Sequence, residues 1–363
     1  MNKENEKIQL SVVDIERKYT VDPTESVYGG GEGIVSWGID NNLPNLMTTC
    51  YDKSTTLGAA IDQTVNFVTG DGIEVGEDAS WWAMGTNRKG LTIAELVEHI
   101  AYDLTTYGNV AIQVIFNKLG VPVELYPLDV TRCRLSGDGR KVYYSKKPWT
   151  KFQTKGDVYD RFGHCDYDPK NPTQVYFYNG IGVRRVYNRA PWYSALQDVL
   201  VEIESGVYSL NAVSNGFAAR YVFNFLNSAS RTDEQKKAIE DGIRRKFCGP
   251  DAESNFMLYW ADGQDPLNVT KLDADDTPER FISIRNNSKE NIYASLRMNP
   301  LLCGMSVANT GFSTQEFSDS YKLYDKTVAE PQRRIIEGIL SDVTMTEGAF
   351  HILPFHLQFE DAQ

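Results

Sequence analysis

The alternation of apolar and polar positions divides the chain into a mixed first half and a helical second half. From Asn42 to Thr69, apolar residues recur about every 3.6 positions, which predicts one or two helices packed on a core. Gly70 and Gly72 end this stretch. The segment from Leu91 to Thr106 predicts a further amphipathic helix, closed by Gly108.

Beyond Asn109 the period of the apolar positions falls to about two, the period of a half-buried strand. Short β-rich stretches follow, separated by Gly, Asp, Asn and Pro as turn signals. We therefore predict that the first half is an α+β domain with an antiparallel sheet. The predicted strands begin with Val110 to Phe116 and continue with Val121 to Leu125, Thr131 to Leu135, Lys141 to Ser145 and Gln174 to Tyr178.

After Pro191 the pattern changes to long helices around a compact insert. Ser194 to Asn215 keeps its apolar residues on one face, which predicts a helix of about 22 residues, or roughly 33 Å. In the insert, a capping box from Thr232 to Gln235 opens a helix. Predicted strands precede and follow this helix, at Tyr221 to Leu226 and Phe256 to Trp260, so the insert is a small strand-helix-strand module.

Two further helices follow the insert. One starts at Thr277 and is limited by Pro300, which cannot continue a helix. After the uncharged segment Cys303 to Phe312, a capping box from Ser313 to Glu316 begins a helix of about 30 residues, or roughly 45 Å. Pro331 is expected to kink this helix, because it removes a backbone hydrogen bond and crowds the preceding turn.

The composition narrows the classes of function. The 49 acidic and 37 basic residues give a formal net charge of -12, the wrong sign for a protein that grips nucleic acid by releasing counterions from phosphates. The amino terminus is polar and no stretch of about 18 apolar residues occurs, which predicts neither a signal peptide nor a membrane span. The five cysteines are odd in number and form no CxxC pair, which fits a reducing compartment and no disulfide framework.

No motif for catalysis or for a cofactor emerges. The glycine cluster from Gly29 to Gly33 lacks the strand and the Lys-Ser/Thr pair of a phosphate loop, so we assign residues 1–35 to a flexible arm. Cys133, His164 and Cys165 are too widely spaced for a zinc knuckle, which predicts no metal and no cofactor. Spacing alone does not exclude a nucleophilic pair of Cys303 with a histidine, but nothing favours it. His351 and His356 do not have the spacing of an HExxH metal site.

The order of elements resembles the portal proteins of tailed bacteriophages, in a short form. These proteins have an α+β wing, a stem helix, a strand-helix-strand clip, a second stem helix, a tunnel loop and a long kinked spine helix. The similarity covers Gly180 to Leu340 well. The residues that carry it are Ala190 to Leu196 with Tyr208, Asn211 and Asn215 to Phe217; Phe247 to Gly249; and Arg297 to Gly304 with Thr314 and Glu316.

The resemblance implies a division of the chain into portal segments. The chain ends soon after Phe359, so a reduced or absent crown is expected. The implied segments are the arm 1–35, the wing 36–190, the first stem helix 191–216, the clip 217–275, the second stem helix 276–300, the tunnel loop 301–314, and the spine helix with a C-terminal wing or reduced crown 315–363.

The resemblance also implies a function without catalysis. The expected assembly is a homo-oligomeric ring, usually of twelve subunits, at one vertex of the capsid, where it forms the channel for DNA packaging and ejection. The expected partners are the terminase large subunit, a head–tail adaptor or connector, the major capsid protein and double-stranded DNA, with no membrane. The expected location is the virion, and the host cytoplasm during assembly.

Two sets of residues are the implied functional sites. In the tunnel loop, the residues expected to face DNA are Ser306, Val307, Ala308, Asn309, Thr310, Gly311, Phe312, Ser313 and Thr314. In the clip, the residues expected to dock the motor or connector are Thr232, Asp233, Glu234, Lys236, Lys237, Glu240 and Arg244.

Two other functions remain as alternatives at this point. One is a scaffold or connector protein of a phage-like particle that forms no channel. The other is a hydrolase, for which the sequence supplies no constellation of titratable groups.

Overall fold

The chain forms two compact units. The computed structural model describes residues 24–29, 33–151, 153, 155–180, 185–214, 222–225, 232, 234–239, 257–260, 277–305 and 314–356. The first unit combines Met1–Ser194 with Tyr293–Gln363, and the second unit is Ala195–Ile292. Each unit is a mixture of helices and strands, so the predicted α+β class is confirmed.

Helices on the first unit begin and end at the signals that the sequence contains. Ser54 separates the first two helices, because its side-chain oxygen accepts a hydrogen bond from the Leu57 amide at 3.1 Å. Gly108 ends the fourth helix with a φ of 72°, and a Cβ there would lie 2.5 Å from the Arg189 carbonyl oxygen. The helices are α1 (Leu43–Lys53), α2 (Thr55–Thr69), α3 (Ser80–Ala83), α4 (Ile93–Tyr107), α8 (Thr314–Tyr324) and α9 (Glu330–Thr344).

A six-stranded sheet packs with these helices in the first unit. Its strand order is β5-β4-β9-β8-β7-β6, and β4 pairs with β9 in the register Val110 to Tyr178. Strand β4 lies between β5 and β9, and its inward residues are buried in the core. The strands are β4 (Val110–Phe116), β5 (Pro122–Pro127), β6 (Cys133–Leu135), β7 (Lys141–Tyr144), β8 (Asp157–Arg161) and β9 (Thr173–Tyr178).

The sheet corrects the sequence prediction in two respects. Strand β8 was not predicted, because its sequence DVYDR is mostly polar, and two of its five residues remain exposed. It runs parallel to β9 and antiparallel to β7, so the sheet is mixed and not purely antiparallel. The other predicted strands are confirmed to within a few residues at each end.

Two short strand pairs join distant parts of the first unit. Strand β3 (Gly72–Val75) pairs antiparallel with β12 (Phe350–Leu353), which attaches the C-terminal segment to α2. Strands β1 (Val27–Tyr28) and β2 (Ile34–Val35) pair within the predicted arm, where the Glu25 carboxylate accepts hydrogen bonds from the amides of Val186 and Tyr187 at 2.8 and 3.0 Å. The described end of the arm is therefore packed in place; residues 1–23 lie outside the described residues.

The long helix predicted near the C-terminus contains an irregular turn. A π-helical turn (Asp325–Ala329) lies between α8 and α9, immediately before Pro331. Proline has no N–H to donate to the carbonyl four residues earlier, and a wider turn accommodates this break in the α-helical ladder. The kink predicted at Pro331 is thus a π turn with one inserted residue. The insertion shifts the buried side of α9 by one position, so Ile336 and not Ile335 is fully buried.

The second unit contains the predicted insert between two long helices. Helix α5 (Leu196–Ser214) precedes it and helix α7 (Thr277–Ser295) begins after it. Strands β10 (Val222–Phe225) and β11 (Met257–Trp260) pair in parallel, and residues 234–239 form helix α6 between them in the chain. The described part of the insert therefore confirms a strand-helix-strand module. In the part of the chain that the structure describes, no helix has the length and apolar character that crossing a bilayer requires.

Candidate functional site

A short turn fixes the first residues of the predicted tunnel loop 301–314, ahead of the residues expected to face DNA. Residues Pro300–Cys303 form a 3₁₀ turn, and the Asn299 side chain caps it by accepting a hydrogen bond from the Leu301 amide at 3.0 Å. Leu301 and Leu302 are buried, and Gly304 leaves the turn in the left-handed region with a φ of 74°. The chain therefore enters the loop from a rigid support.

The same asparagine connects the two ends of the loop. Its side-chain Nδ2 donates to the Ser320 Oγ at 2.9 Å, and Ser320 lies on α8, which begins at Thr314. Thr314 is exposed, and it is the one residue of the predicted DNA-facing set that the structure describes; residues 306–313 lie outside the described residues. We call residues 299–305 together with Ser320 the loop anchor.

Helix α8 is held to the body by two tyrosines. The Tyr324 hydroxyl and the Thr64 hydroxyl are 2.7 Å apart, and the Tyr321 hydroxyl donates to the Phe355 carbonyl oxygen at 2.8 Å. The Phe67 ring on α2 contacts both tyrosines, with centroid separations of 5.0 and 5.8 Å. The C-terminal half of α8, which follows the loop, is therefore fixed to the first unit.

Sulfur atoms fill the space beside the loop anchor. The Cys303 thiol lies 3.1 Å from the Met298 sulfur, and the Tyr293 hydroxyl lies 3.0 Å from the Met305 sulfur. Burial raises the pKa of the Cys303 thiol to about 11, so it stays protonated at neutral pH. An activated nucleophile needs the opposite shift, which argues against a catalytic Cys303.

The clip residues that the structure describes lie on or before helix α6. The amide of Thr232 donates to Gln235 Oε1 at 3.2 Å and the amide of Gln235 donates to the Thr232 hydroxyl at 3.4 Å, so the predicted capping box is confirmed. Glu234 and Lys237 are exposed and Lys236 is half-buried. Asp233, Glu240 and Arg244 lie outside the described residues.

The residues considered as metal ligands serve other roles. The Cys133 thiol is buried against the Asp129 carbonyl oxygen, and the Cys165 thiol lies against the Arg140 carbonyl oxygen. His351 lies in β12 with its Nδ1 3.3 Å from the Glu337 carboxylate. Within the described ranges, no three His, Cys, Asp or Glu side chains form a group that could hold a metal ion.

Sequence reasoning missed the residues that hold the loop anchor together. The Asn299-Pro300 pair was a usable signal, because asparagine is a common N-cap and proline is common at the first position after it. The bond from Asn299 to Ser320 had no local signal, since it joins residues 21 positions apart. The burial of Arg161 had no local signal either, since it depends on which elements meet in space.

Comparisons with known proteins identify the class. A chain in the virion of a native gene transfer agent particle shares the fold with a TM-score of 0.56 at 16% identity, over 90% of this chain and 86% of that chain. A chain in the neck of the native particle, computed with C12 symmetry, gives a TM-score of 0.54 at 16% identity, over 92% and 86%. An HK97 family phage portal protein from Corynebacterium diphtheriae gives 0.50 at 12% identity, over 83% and 92%. The fold is that of a phage portal protein.

Sequence similarity identifies the family. The pattern of the family described as phage portal protein matches residues 87–350, which is more than half of the chain. A probable portal protein of Haemophilus phage HP1 (strain HP1c1) is 24% identical over 216 residues, which is 58% of this chain and 58% of the length of that protein. The chain therefore belongs to the phage portal protein family, a family of structural proteins and not of enzymes.

Proposed function

We propose that this chain assembles into a closed ring, usually of twelve copies, at one vertex of a capsid, and that the ring is the channel through which DNA enters and leaves. The observation that carries the proposal is the family match over residues 87–350, which spans all of the second unit and part of the first. A neighbour of the same fold belongs to a neck with twelvefold symmetry. Head-to-tail contacts with cyclic closure are the geometry that such a ring requires.

Exposed apolar residues on the second unit support assembly. Val207, Tyr208 and Leu210 on α5 and Ile284 on α7 are large, apolar and exposed. A single exposed apolar residue is ordinary, but three within about one turn of a helix are typical of a surface that another protein covers. In the proposed ring, adjacent subunits cover these positions along the stem helices.

The net charge of the chain suits a channel. A wall that binds phosphates through cations would release counterions at every step and hold the DNA in place. A subunit with a formal charge of -12 avoids this, and the tunnel loop from Ser306 to Thr314 carries no charged residue. We propose that these neutral residues contact DNA during its passage, while a separate terminase motor hydrolyses ATP.

The clip is the proposed docking site for the other components. Helix α6 presents Glu234 and Lys237 to solvent in the second unit, where a motor or connector can reach them. We propose that this module binds first the terminase large subunit and later the head–tail adaptor, and that the wing contacts the major capsid protein. The protein would then reside in the virion after assembly in the host cytoplasm.

The channel proposal is tested by adding charge to the tunnel loop. The variant carrying Asn309→Arg and Thr310→Arg places two cations per subunit in the bore, and DNA packaging into procapsids should slow at least about tenfold because the phosphates bind to them. The control variant, Asn309→Gln with Thr310→Ser, should package at the normal rate. Rings of the arginine variant, checked by electron microscopy, that package DNA as fast as the control would contradict a DNA-facing loop.

A further inference from the structure

Arg161, the last residue of β8, is a buried cation at the wall of a cavity. It is 8% exposed and lines a cavity of about 900 Å³ in the first unit. Aromatic side chains form much of the wall, among them Phe116, Phe162 and Tyr167. The cavity opens to solvent, so a group from another molecule can enter it.

The hydrogen-bond partners of Arg161 are all neutral. Its Nη2 donates to the Phe177 carbonyl oxygen at 2.8 Å and to the Asn179 Oδ1 at 3.1 Å, and its Nη1 donates to the Gly139 carbonyl oxygen at 3.3 Å. Its Nε has no hydrogen-bond acceptor among the described residues. Burial lowers the pKa of Arg161, and burial also lowers the pKa of Arg134, another buried arginine.

The other two arginines that are buried in the described part of the chain are compensated. Arg333 pairs with the Asp325 carboxylate. Arg134 lies between the Trp37 and Trp149 rings, 5.6 and 5.4 Å from their centroids, and each of its three nitrogens donates a hydrogen bond. Among the described residues, Arg161 has neither a carboxylate partner nor an aromatic ring on each side of its guanidinium. Burial of a guanidinium is costly unless the group is paired or fully hydrogen-bonded.

The rest of the cavity does not supply the missing carboxylate. Arg140 and His164 also line it, and both are exposed. Two carboxylates, Asp166 and Asp342, lie at exposed positions of the wall, and Asp342 accepts a hydrogen bond from the Tyr176 hydroxyl at 2.9 Å. Neither carboxylate pairs with Arg161, whose described acceptors are the Gly139 and Phe177 carbonyl oxygens and the Asn179 side chain.

We infer that the cavity receives a carboxylate side chain from a second copy of this chain, which pairs with Arg161 when copies assemble. The inference rests on the proposed ring, because a ring places identical subunits side by side. Nη1 of Arg161 has two N–H groups and uses one of them for the Gly139 carbonyl oxygen, so the other can donate a charge-assisted hydrogen bond to an incoming carboxylate. The aromatic walls suit the apolar stem of an Asp or Glu side chain. Each copy has 49 acidic residues against 37 basic ones, so it offers carboxylates in excess.

The first experiment identifies the partner of position 161. In the Arg161→Lys variant, a carbodiimide couples the new amine to any carboxylate in contact with it, and mass spectrometry locates the amide bond. Rings assembled from a mixture of ¹⁴N and ¹⁵N subunits should contain bonds that join position 161 of one isotope to an acidic residue of the other. Coupling only to Asp166 or Asp342 of the same copy, or no coupling at position 161 in intact rings, would overturn the inference.

The second experiment measures the contribution to assembly. The Arg161→Gln variant should need an about tenfold higher protein concentration to form half of its rings, because a buried interfacial ion pair is lost. The matched control is Arg88→Gln, which removes an exposed arginine outside the cavity. Thermal unfolding of the dilute chain establishes that both variants fold. If the two variants assemble equally well, the inference about Arg161 is wrong and the proposed ring still stands. If the unsubstituted chain never forms rings, both the inference and the proposed ring are wrong.

Discussion

Arg333 holds α9 to two other parts of the first unit. Its Nη1 donates to the Phe67 carbonyl oxygen on α2 at 2.9 Å, and its Nη2 binds the Asp325 carboxylate in the π turn. The Arg333 side chain is 6% exposed and the Asp325 side chain 16% exposed. Removal of one partner of such a pair is costly, because it leaves the other charge buried and uncompensated.

The substitution Asp325→Ala should therefore lower the free energy of unfolding by about 3 kcal/mol. Urea denaturation followed by circular dichroism, at one fixed protein concentration, measures this loss. The control is Asp319→Ala on α8, whose exposed pair with Lys322 contributes less than about 1 kcal/mol. Losses of equal size would show that the Asp325 pair is no more important than a surface pair.

Asp103 on α4 provides a test by pH. Burial raises the pKa of the Asp103 carboxyl well above its usual range, and the negative charge of Asp129 adds to this effect. The Asp103 carboxyl thus keeps its proton in the folded chain at pH values where the unfolded chain has released it, that is, above about pH 4. The stability that the buried carboxyl contributes is therefore fully present below about pH 4. It is lost as the pH rises through the raised pKa of the folded chain.

The substitution Asp103→Asn should remove this loss, because an amide has no proton to release. We expect the variant to be more stable than the unsubstituted chain at pH 8, by about 1–3 kcal/mol, and equally stable near pH 4. Denaturant unfolding at a series of pH values gives the comparison. Glu98→Gln, an exposed change on the same helix, should leave the pH profile unaltered; a parallel shift of both variants would argue against a special environment at Asp103.

At the scale of elements, the π turn lets the buried sides of α8 and α9 face the same core. Asp325 and Arg333 are eight residues apart, a spacing that a regular α-helix would place about 80° out of alignment. One inserted residue makes the spacing equivalent to seven, which returns both to one side. The same insertion lets Tyr321 and Tyr324 on α8 and Ile336 and Ile339 on α9 face the core together.

Deletion of Lys326 together with Pro331→Ala should convert this region into a continuous α-helix with both faces still buried. We expect a loss in the free energy of unfolding below about 2 kcal/mol, since Lys326 forms only an exposed pair with Glu330. Deletion of Gly338 with the same Pro331→Ala change should lose far more, because it rotates the buried residues of α9 out of the core. Similar unfolding midpoints for the two deletions would contradict the conclusion that the π turn aligns the buried sides of α8 and α9.

The loop anchor gives a second test among the elements. Asn299→Ala removes both the cap of the Leu301 amide and the bond to Ser320, whereas Asn299→Asp retains the cap and loses only the donor to Ser320. Hydrogen exchange of the Leu301 amide should accelerate about tenfold in the alanine variant and change little in the aspartate variant. Equal acceleration in both would show that the turn depends on the Ser320 bond and not on the cap.

The elements also show which parts of the fold were predictable from the sequence. Helices α1, α2, α4 and α5 carry a strong period, and Gly70 and Gly108 mark where two of them end. Strand β8 was missed because its sequence is polar and has no strand pattern of its own. It forms a strand because it pairs with β7 and β9, and this pairing cannot be seen in the local sequence.

The candidate site was predictable only in part, for a similar reason. The Thr232 capping box is a local signal and was recognised. The bond from Asn299 to Ser320 and the burial of Arg161 depend on which elements meet in space. A period of apolar residues gives the buried side of an element, but it does not identify the neighbour on that side.

At the scale of the whole molecule, membership of the phage portal protein family connects the two compact units to one proposed role. The first unit contains the sheet, α8, α9 and the loop anchor, and the second unit contains α5 and the strand-helix-strand module. The exposed apolar residues of α5 and Arg161, which has no carboxylate partner among the described residues, lie in different units. Contacts between copies of the chain would cover the apolar residues and would supply the carboxylate inferred for Arg161. Assembly is therefore the property on which the account depends.

Electron microscopy of the purified full chain, combined with its mass from light scattering, tests this property most directly. The account predicts closed rings of about a dozen subunits with a central hole wide enough for duplex DNA, about 20 Å. A monomer or a compact dimer at every protein concentration would contradict it.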